Sequence, residues 1–344
     1  MAKTRLSRNR PRTTPLARAK PRVTLIDYNV SAFTEREVAN PAECLPYRQA
    51  DSVTWINVDG IGHPQLIHEL AQVMGFHALT VEDMLNTDQR PKAEDYGEYI
   101  YVVAKMLDLN PHGEITIEQL SLVIGSNYVI SIQEDPSDPF EPVRDRIRHA
   151  AGRIRAMGSD YLATRLLGVL VDRAFAVTDR LGERIEELDD LVAGRERPEE
   201  LRAMYQTKRE IIYLRKAVTP LREVVAALWH TESALIHDST VPYLRDLYDH
   251  VVQAAERVDT SRDLLSSVQD LYLTRVSNRT NTVMKIIAVF SSVFMPLTFI
   301  TGIFGMNFEF MPLIHKPWGF AISALSMLAI VGAMLWYFRR KRWL

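Results

Sequence analysis

Ile286-Ile-Ala-Val-Phe-Ser-Ser-Val-Phe-Met-Pro-Leu-Thr-Phe-Ile-Thr-Gly-Ile-Phe-Gly-Met-Asn-Phe308 runs for 23 residues without a charge, and residues 317–338 hold none for 22 more. A helix crosses the hydrocarbon layer of a bilayer with about 20 apolar residues. One such run could be a buried soluble helix. Two in series predict a pair of membrane helices, joined by a loop of about ten residues. Arg275, Arg279 and Lys285 precede the first run and Arg339-Arg-Lys-Arg342 follows the second, whereas the loop holds only Lys316 and His315 against Glu309. Excess Lys and Arg stay on the cytoplasmic side, so both termini are expected there, in a multi-pass protein of the inner (plasma) membrane. Trp318, Trp336, Tyr337 and Trp343 fall where interfacial aromatics belong.

The averages hide this. The 344 residues are 47% hydrophobic and 24% charged with a formal net charge of -2, values of an ordinary soluble protein, because a long polar N-terminal side dilutes the two runs. Cys44 is the single cysteine, which excludes an intrachain disulfide and agrees with a reducing compartment. The balanced charge argues against nucleic acid as a partner. No phosphate-cradling Gly-rich loop, zinc-protease helix or Ser-His-Asp signature is present, so an enzyme is not expected. Residues 1–22 carry eight basic residues and no acid, leaving 33 basic against 43 acidic residues in the remainder. With Pro11, Pro15 and Pro21 and no apolar segment, this arm reads as a disordered, solvated cytoplasmic tail that anionic lipid could contact.

Between residues 23 and 138 the pattern alternates. Residues 23–28, 53–58, 99–103, 115–124 and 128–133 read as strands, and 64–74 and 79–86 as helices, predicting a mixed α/β domain. Residues 139–240 are expected to carry two long charged helices, 159–193 and 198–230, turning at Gly194–Pro198. Glu183, Glu186, Glu187, Asp189 and Asp190 end the first of them; they read either as a solvated face or as a surface that attracts cations. Residues 241–304 form one long helix in which Leu247, Val251, Ala254, Val258, Leu265, Val268 and Tyr272 make an apolar stripe, and whose last part, about 286–304, is the first span. Sixty helical residues extend about 90 Å, so this helix must connect two places. A loop over 305–317, a second span over 318–338 and a basic cytoplasmic tail over 339–344 complete the expected organisation.

At alternating spacings of three and four, Asn281, Met284, Ala288, Ser291, Met295, Thr298 and Gly302 share a face of the first span, which extends backward through Ser277, Thr274, Asp270 and Ser267 to Asp263. That face is polar, small or flexible. It can serve close helix packing or line a pore. Two spans cannot enclose a pore, so the second reading demands an oligomer with copies of the helix around an axis.

Gly305-Met306-Asn307 at the end of the span, Met295-Pro-Leu-Thr298 inside it and a basic C-terminus closing on Trp343-Leu344 resemble the CorA magnesium transporters. The likeness continues upstream in Val276-Ser-Asn-Arg-Thr-Asn281, Val241-Pro-Tyr-Leu-Arg-Asp246, Pro220-Leu-Arg-Glu-Val224, Gln89-Arg-Pro-Lys92 and Val81-Glu-Asp83, while Phe304 stands where many relatives have Tyr. The resemblance implies an α/β N-terminal cytoplasmic domain plus long helices and a C-terminal two-helix transmembrane hairpin, assembled as a funnel-shaped homopentamer. It implies an ion channel for Mg²⁺, with Co²⁺ and Ni²⁺ as alternative cargo. Gly305, Met306 and Asn307 would form the selectivity filter, and Asp270, Asn281, Met284, Ile287, Met295 and Thr298 would line the pore. Glu82, Asp83 and Asp246 would bind the regulatory Mg²⁺ between subunits, or else serve as surface acids that pair locally. Lys285 and Arg339–Arg342 form a basic collar whose simpler partner is membrane lipid. A zinc transporter of the related ZntB branch and, more remotely, a membrane-anchored sensor or scaffold are the competing readings.

Overall fold

Strand Trp55-Ile-Asn-Val58 buries side chains on both faces, as a central strand must, and the sheet forms around it. A computed structural model describes residues 22–110, 113–134, 138–194, 198–307, 311, 313 and 316–343. Seven strands, β1 (Arg22–Tyr28), β2 (Phe33–Val38), β3 (Val53–Asp59), β4 (Lys92–Asp95), β5 (Ile100–Leu109), β6 (Ile115–Ile124) and β7 (Tyr128–Gln133), lie in the order β2-β1-β3-β7-β6-β5-β4. All neighbours are antiparallel except β3 and β7, where Asn57 stands opposite Ser131 and Asp59 opposite Gln133. β2 and β4 were not among the expected strands. Their sequences, Phe-Thr-Glu-Arg-Glu-Val and Lys-Ala-Glu-Asp, are too polar to announce a strand, and they occupy the two edges, where charge discourages further pairing. Arg22, assigned to the basic arm, is the first residue of β1 and pairs with Asp59; the rest of the arm lies outside the described residues.

Helices cover both faces. Helices α1 (Pro64–Met74) and α2 (Ala78–Leu85), with a 3₁₀ segment over Pro41–Gln49, pack Ile67, Leu70, Met74, Val81, Met84 and Cys44 against one face of the sheet. Helix α1 ends at Gly75, whose φ of 77° is the left-handed cap conformation that favours glycine. The other face takes α3 (Glu141–Arg148), α4 (Ser159–Ala193) and α5 (Pro198–Trp229), with Leu162, Leu166, Leu170, Val224 and Leu228 entering its core. Helix α3 falls in a stretch that showed no strand pattern and was given no element of its own. Arg184 pairs with Glu210 across α4 and α5 at 2.8 Å, while Glu186, Asp189 and Asp190 are exposed.

Helix α6 runs unbroken from Val241 to Phe304. Its predicted stripe is buried at Leu247, Val251, Ala254, Val258, Leu265 and Val268 and half-buried at Tyr272. Pro296 lacks the N–H that would bond the Ser292 carbonyl, yet the helix continues through it. A second unit holds Ser267 onward, including α7 (Gly319–Arg340). The apolar stretches of α6 and α7 are each long enough to cross a membrane, and only 6% of each is buried, unlike the core helix of a soluble protein.

Candidate functional site

The polar stripe is a surface. Asp270, Asn281, Ala288, Ser291, Thr298 and Gly302 are all exposed, as are Met284, Ile287 and Met295, the last at 74%. Val289, a turn away, is buried, and Val293, Pro296, Leu297 and Ile300 are half-covered. Phe290, Phe294, Phe299 and Thr301 are exposed as well, so most of this helix is uncovered in the single chain, and the stripe is marked by its polar, small or flexible side chains rather than by exposure. Thr298 donates its hydroxyl hydrogen to the Phe294 carbonyl at 2.8 Å, so the oxygen turned outward offers lone pairs only. Thr274 does the same to the Asp270 carbonyl. Such acceptors suit a cation that arrives wrapped in water, because bound water donates hydrogen bonds.

At the end of α6 the chain leaves the helix over three residues. The Gly305 N–H bonds the Thr301 carbonyl at 2.9 Å, and the Met306 N–H bonds that of Ile303 at 3.2 Å. Gly305 does not adopt a left-handed φ; a Cβ there would sit 3.2 Å from the Thr301 carbonyl oxygen, a tight contact that a small shift of the backbone would have to relieve. Asn307 is exposed, and its amide makes no hydrogen bond among the described residues. Much of the 305–317 loop, with Glu309 and His315, lies outside them. Downstream, a Cβ on Gly319 would collide with the Leu313 carbonyl, so glycine is required where the chain enters α7. Lys316 lies over the Trp318 ring and Arg340 over Trp336, pairing basic and aromatic groups at both ends of α7 as interfacial anchors do.

The acidic residues are in the N-terminal unit. Glu82 is exposed on α2 and lines a shallow depression with His68 and Asn86. Asp246, in the second turn of α6, is exposed. Asp83 is different: Lys92 Nζ stands 2.6 Å from its Oδ2 and the Gln89 amide donates to Oδ1 at 2.7 Å, so both oxygens are occupied from within the chain. Lys92 also bonds Glu94 at 2.7 Å. Burial by itself would lower the Lys92 ammonium, and the hydrogen bonds to Asp83 and Glu94 override it, so its pKa is raised. Among the described residues, no three His, Cys, Asp or Glu side chains converge where one chain alone could hold a metal ion. The carboxylates are the hard oxygen donors Mg²⁺ prefers, but a single subunit does not assemble them. Gln89 and Lys92 were missed as partners of Asp83, although the Gln-Arg-Pro-Lys stretch that contains them was noticed in the sequence.

Three comparisons bear on identity. A family model described as CorA-like Mg2+ transporter protein matches residues 50–340. The cobalt/magnesium transport protein CorA of Thermotoga maritima is 40% identical over 324 residues, 94% of this chain and 92% of the relative, while the zinc transport protein ZntB of Pectobacterium atrosepticum is 24% identical over 74% of this chain and 77% of its own. The solved CorA magnesium transporter from Methanocaldococcus jannaschii shares the fold at a TM-score of 0.79 and 20% identity, covering 94% of this chain and 98% of that one. The chain belongs to the CorA-like Mg2+ transporter family: a divalent-cation transporter rather than an enzyme, with two C-terminal transmembrane helices in the inner membrane and its N-terminal domain in the cytoplasm.

Proposed function

We propose that five copies of this chain form a channel that conducts Mg²⁺, and also Co²⁺ and Ni²⁺, into the cytoplasm. The observation that carries this reading is the row of polar, small or flexible side chains from Asp270 to Gly302, continued by Asn307, along one face of the helix that crosses the membrane. A threonine oxygen with only lone pairs to offer has no purpose against lipid, and the exposed Asn281 and Asn307 amides stand at the two ends of the span. Around a shared axis they would accept hydrogen bonds from the hydration shell that Mg²⁺ gives up reluctantly. Met284, Ile287 and Met295 would form the apolar constrictions between them, and Asp270 would hold negative charge at the cytoplasmic exit.

Mg²⁺ is favoured over Zn²⁺ by chemistry and by kinship. Residues 267–307 contain neither His nor Cys, the softer ligands that zinc sites use. The relative named for cobalt and magnesium is also far more similar than the one named for zinc. Glu82, Asp83 and Asp246 would close the channel by sharing Mg²⁺ across a subunit contact, since carboxylates brought together repel unless a cation lies between them. Asp83 would reach such an ion by releasing Lys92.

Flux of each divalent ion into dye-loaded proteoliposomes tests the channel. Wild type should pass Mg²⁺ and Co²⁺, and Asn307→Ala should lose most of the Mg²⁺ flux; equal flux in both removes Asn307 from the filter.

A further inference from the structure

Six arginines crowd the segment from 144 to 165, where Asp145 and Asp160 are the only acids, with Asp138 and Glu141 just before it. Those acids are taken. Arg144 pairs with Asp138 and Glu141; Arg148 pairs with Glu35, Glu141 and Asp145. Arg155 donates to the carbonyls of Ile147 and Arg148, and Asp160 accepts from the His237 backbone and ring. Arg146, Arg153 and Arg165 are left with no ion pair or side-chain hydrogen bond among the described residues. These three line one cavity of about 340 Å³ with Ala151, Gly152, Ile154 and Tyr161, and among the described residues no carboxylate lines it.

Three guanidiniums around one hollow repel one another, and only an anion placed between them converts that repulsion into attraction. Each guanidinium is a planar fork of N–H donors that matches two oxygens of a phosphate, so the three together suit a group with several charged oxygens better than a single carboxylate. Tyr161, 8% exposed, is one turn before Arg165 on α4. Its ring also meets Tyr243, in the first turn of α6, edge-on with centroids 4.9 Å apart.

We infer that the Arg146–Arg153–Arg165 cavity binds a phosphate-bearing anion on the cytoplasmic domain. Its occupant would lie one side chain away from the helix that continues into the membrane. The proposal stands independently of the cargo and of the subunit number.

Binding is measured by calorimetry on the full-length protein in zwitterionic nanodiscs, in EDTA so that phosphate does not act by chelating metal. The arms are tripolyphosphate, ADP and dihexanoyl phosphatidic acid, which separate a soluble phosphate from a lipid headgroup. Saturable binding in any arm that weakens about tenfold or more in both Arg153→Gln and Arg165→Gln, and falls with added salt, supports the site and assigns its source. Arg153 is exposed on a loop, so its substitution leaves the fold intact if the half-buried Arg165 does not tolerate change. Arg180→Gln, elsewhere on α4 and paired with Glu183, should bind as wild type does. No binding at millimolar concentration in any arm, or binding unchanged in Arg153→Gln, overturns the proposal.

Discussion

Replacing Lys92 with Gln should make the transporter easier to close. In the proposed gate a divalent ion competes with Lys92 for the Asp83 carboxylate, whose Oδ2 lies 2.6 Å from the ammonium. At roughly 3 Å and an effective dielectric constant near 20, the bare attraction is about 5 kcal/mol. Most of it is offset by desolvation and side-chain ordering, and exposed pairs retain only about 0–1 kcal/mol. This pair is less exposed, at 29% and 15%, and both partners carry further hydrogen bonds, so about 1–2 kcal/mol is a fair net value. Freed of that competitor, Asp83 should hold the ion about 5- to 30-fold more tightly. The assay is flux into proteoliposomes at graded Mg²⁺ on the side of the cytoplasmic domain, read as the concentration that halves transport. That midpoint should fall by the same factor in Lys92→Gln. Glu94→Gln, which leaves the Lys92–Asp83 contact in place, should move it much less. A midpoint that stays put or rises in Lys92→Gln would refute Asp83 as a ligand of the closing ion.

Three further outcomes follow from particular contacts. Asp83→Ala combined with Asp246→Ala should weaken inhibition by cytoplasmic Mg²⁺ in the same flux assay, and unchanged inhibition would leave both as ordinary surface acids. Asp160→Ala removes a buried carboxylate that accepts from the Tyr161 N–H at 2.9 Å, the His237 N–H at 2.8 Å and the His237 ring at 3.1 Å. A loss of about 2–4 kcal/mol is expected in denaturant unfolding of the full chain, and less than about 0.5 kcal/mol would contradict the network. Asp59 concerns pH: burial first, then the neighbouring Asp138 charge, push its carboxyl up to about 6 against the Asn57 hydrogen bond and the Arg144 and Arg22 charges. The folded protein thus keeps this proton at pH values where the unfolded chain, with a carboxyl near 3.9, has lost it, so stability declines as pH rises from about 4 to about 6. Asp59→Asn should match wild type near pH 4 and exceed it by up to about 3 kcal/mol at pH 7.5; a constant difference across pH would exclude Asp59 as the titrating group.

Local patterns carried much of the architecture. The two spans and the 64-residue helix were legible because apolar run length and helical spacing are properties of consecutive residues, and the stripe from Leu247 to Val268 is buried as its periodicity requires. The central strands were legible for the same reason. The edge strands β2 and β4 were not: Phe33–Val38 and Lys92–Asp95 are polar and become strands by lying against β1 and β5.

The candidate site divides in the same way. Sequence alone determined which residues face together along α6, from Asp270 to Thr298, because helical geometry converts spacing directly into a common face. It determined the membrane spans and their orientation through hydropathy and flanking charge. Only the tertiary structure decided which charges are already satisfied. Asp83 meets Lys92 because β4 lies beside β5 under α2, and Arg146, Arg153 and Arg165 have no ion pair among the described residues because α3 and the sheet edge take up the acids around them. Charge pairing depends on separations of a few ångströms between groups distant along the chain, and those separations exist only once the sheet and its helices have packed.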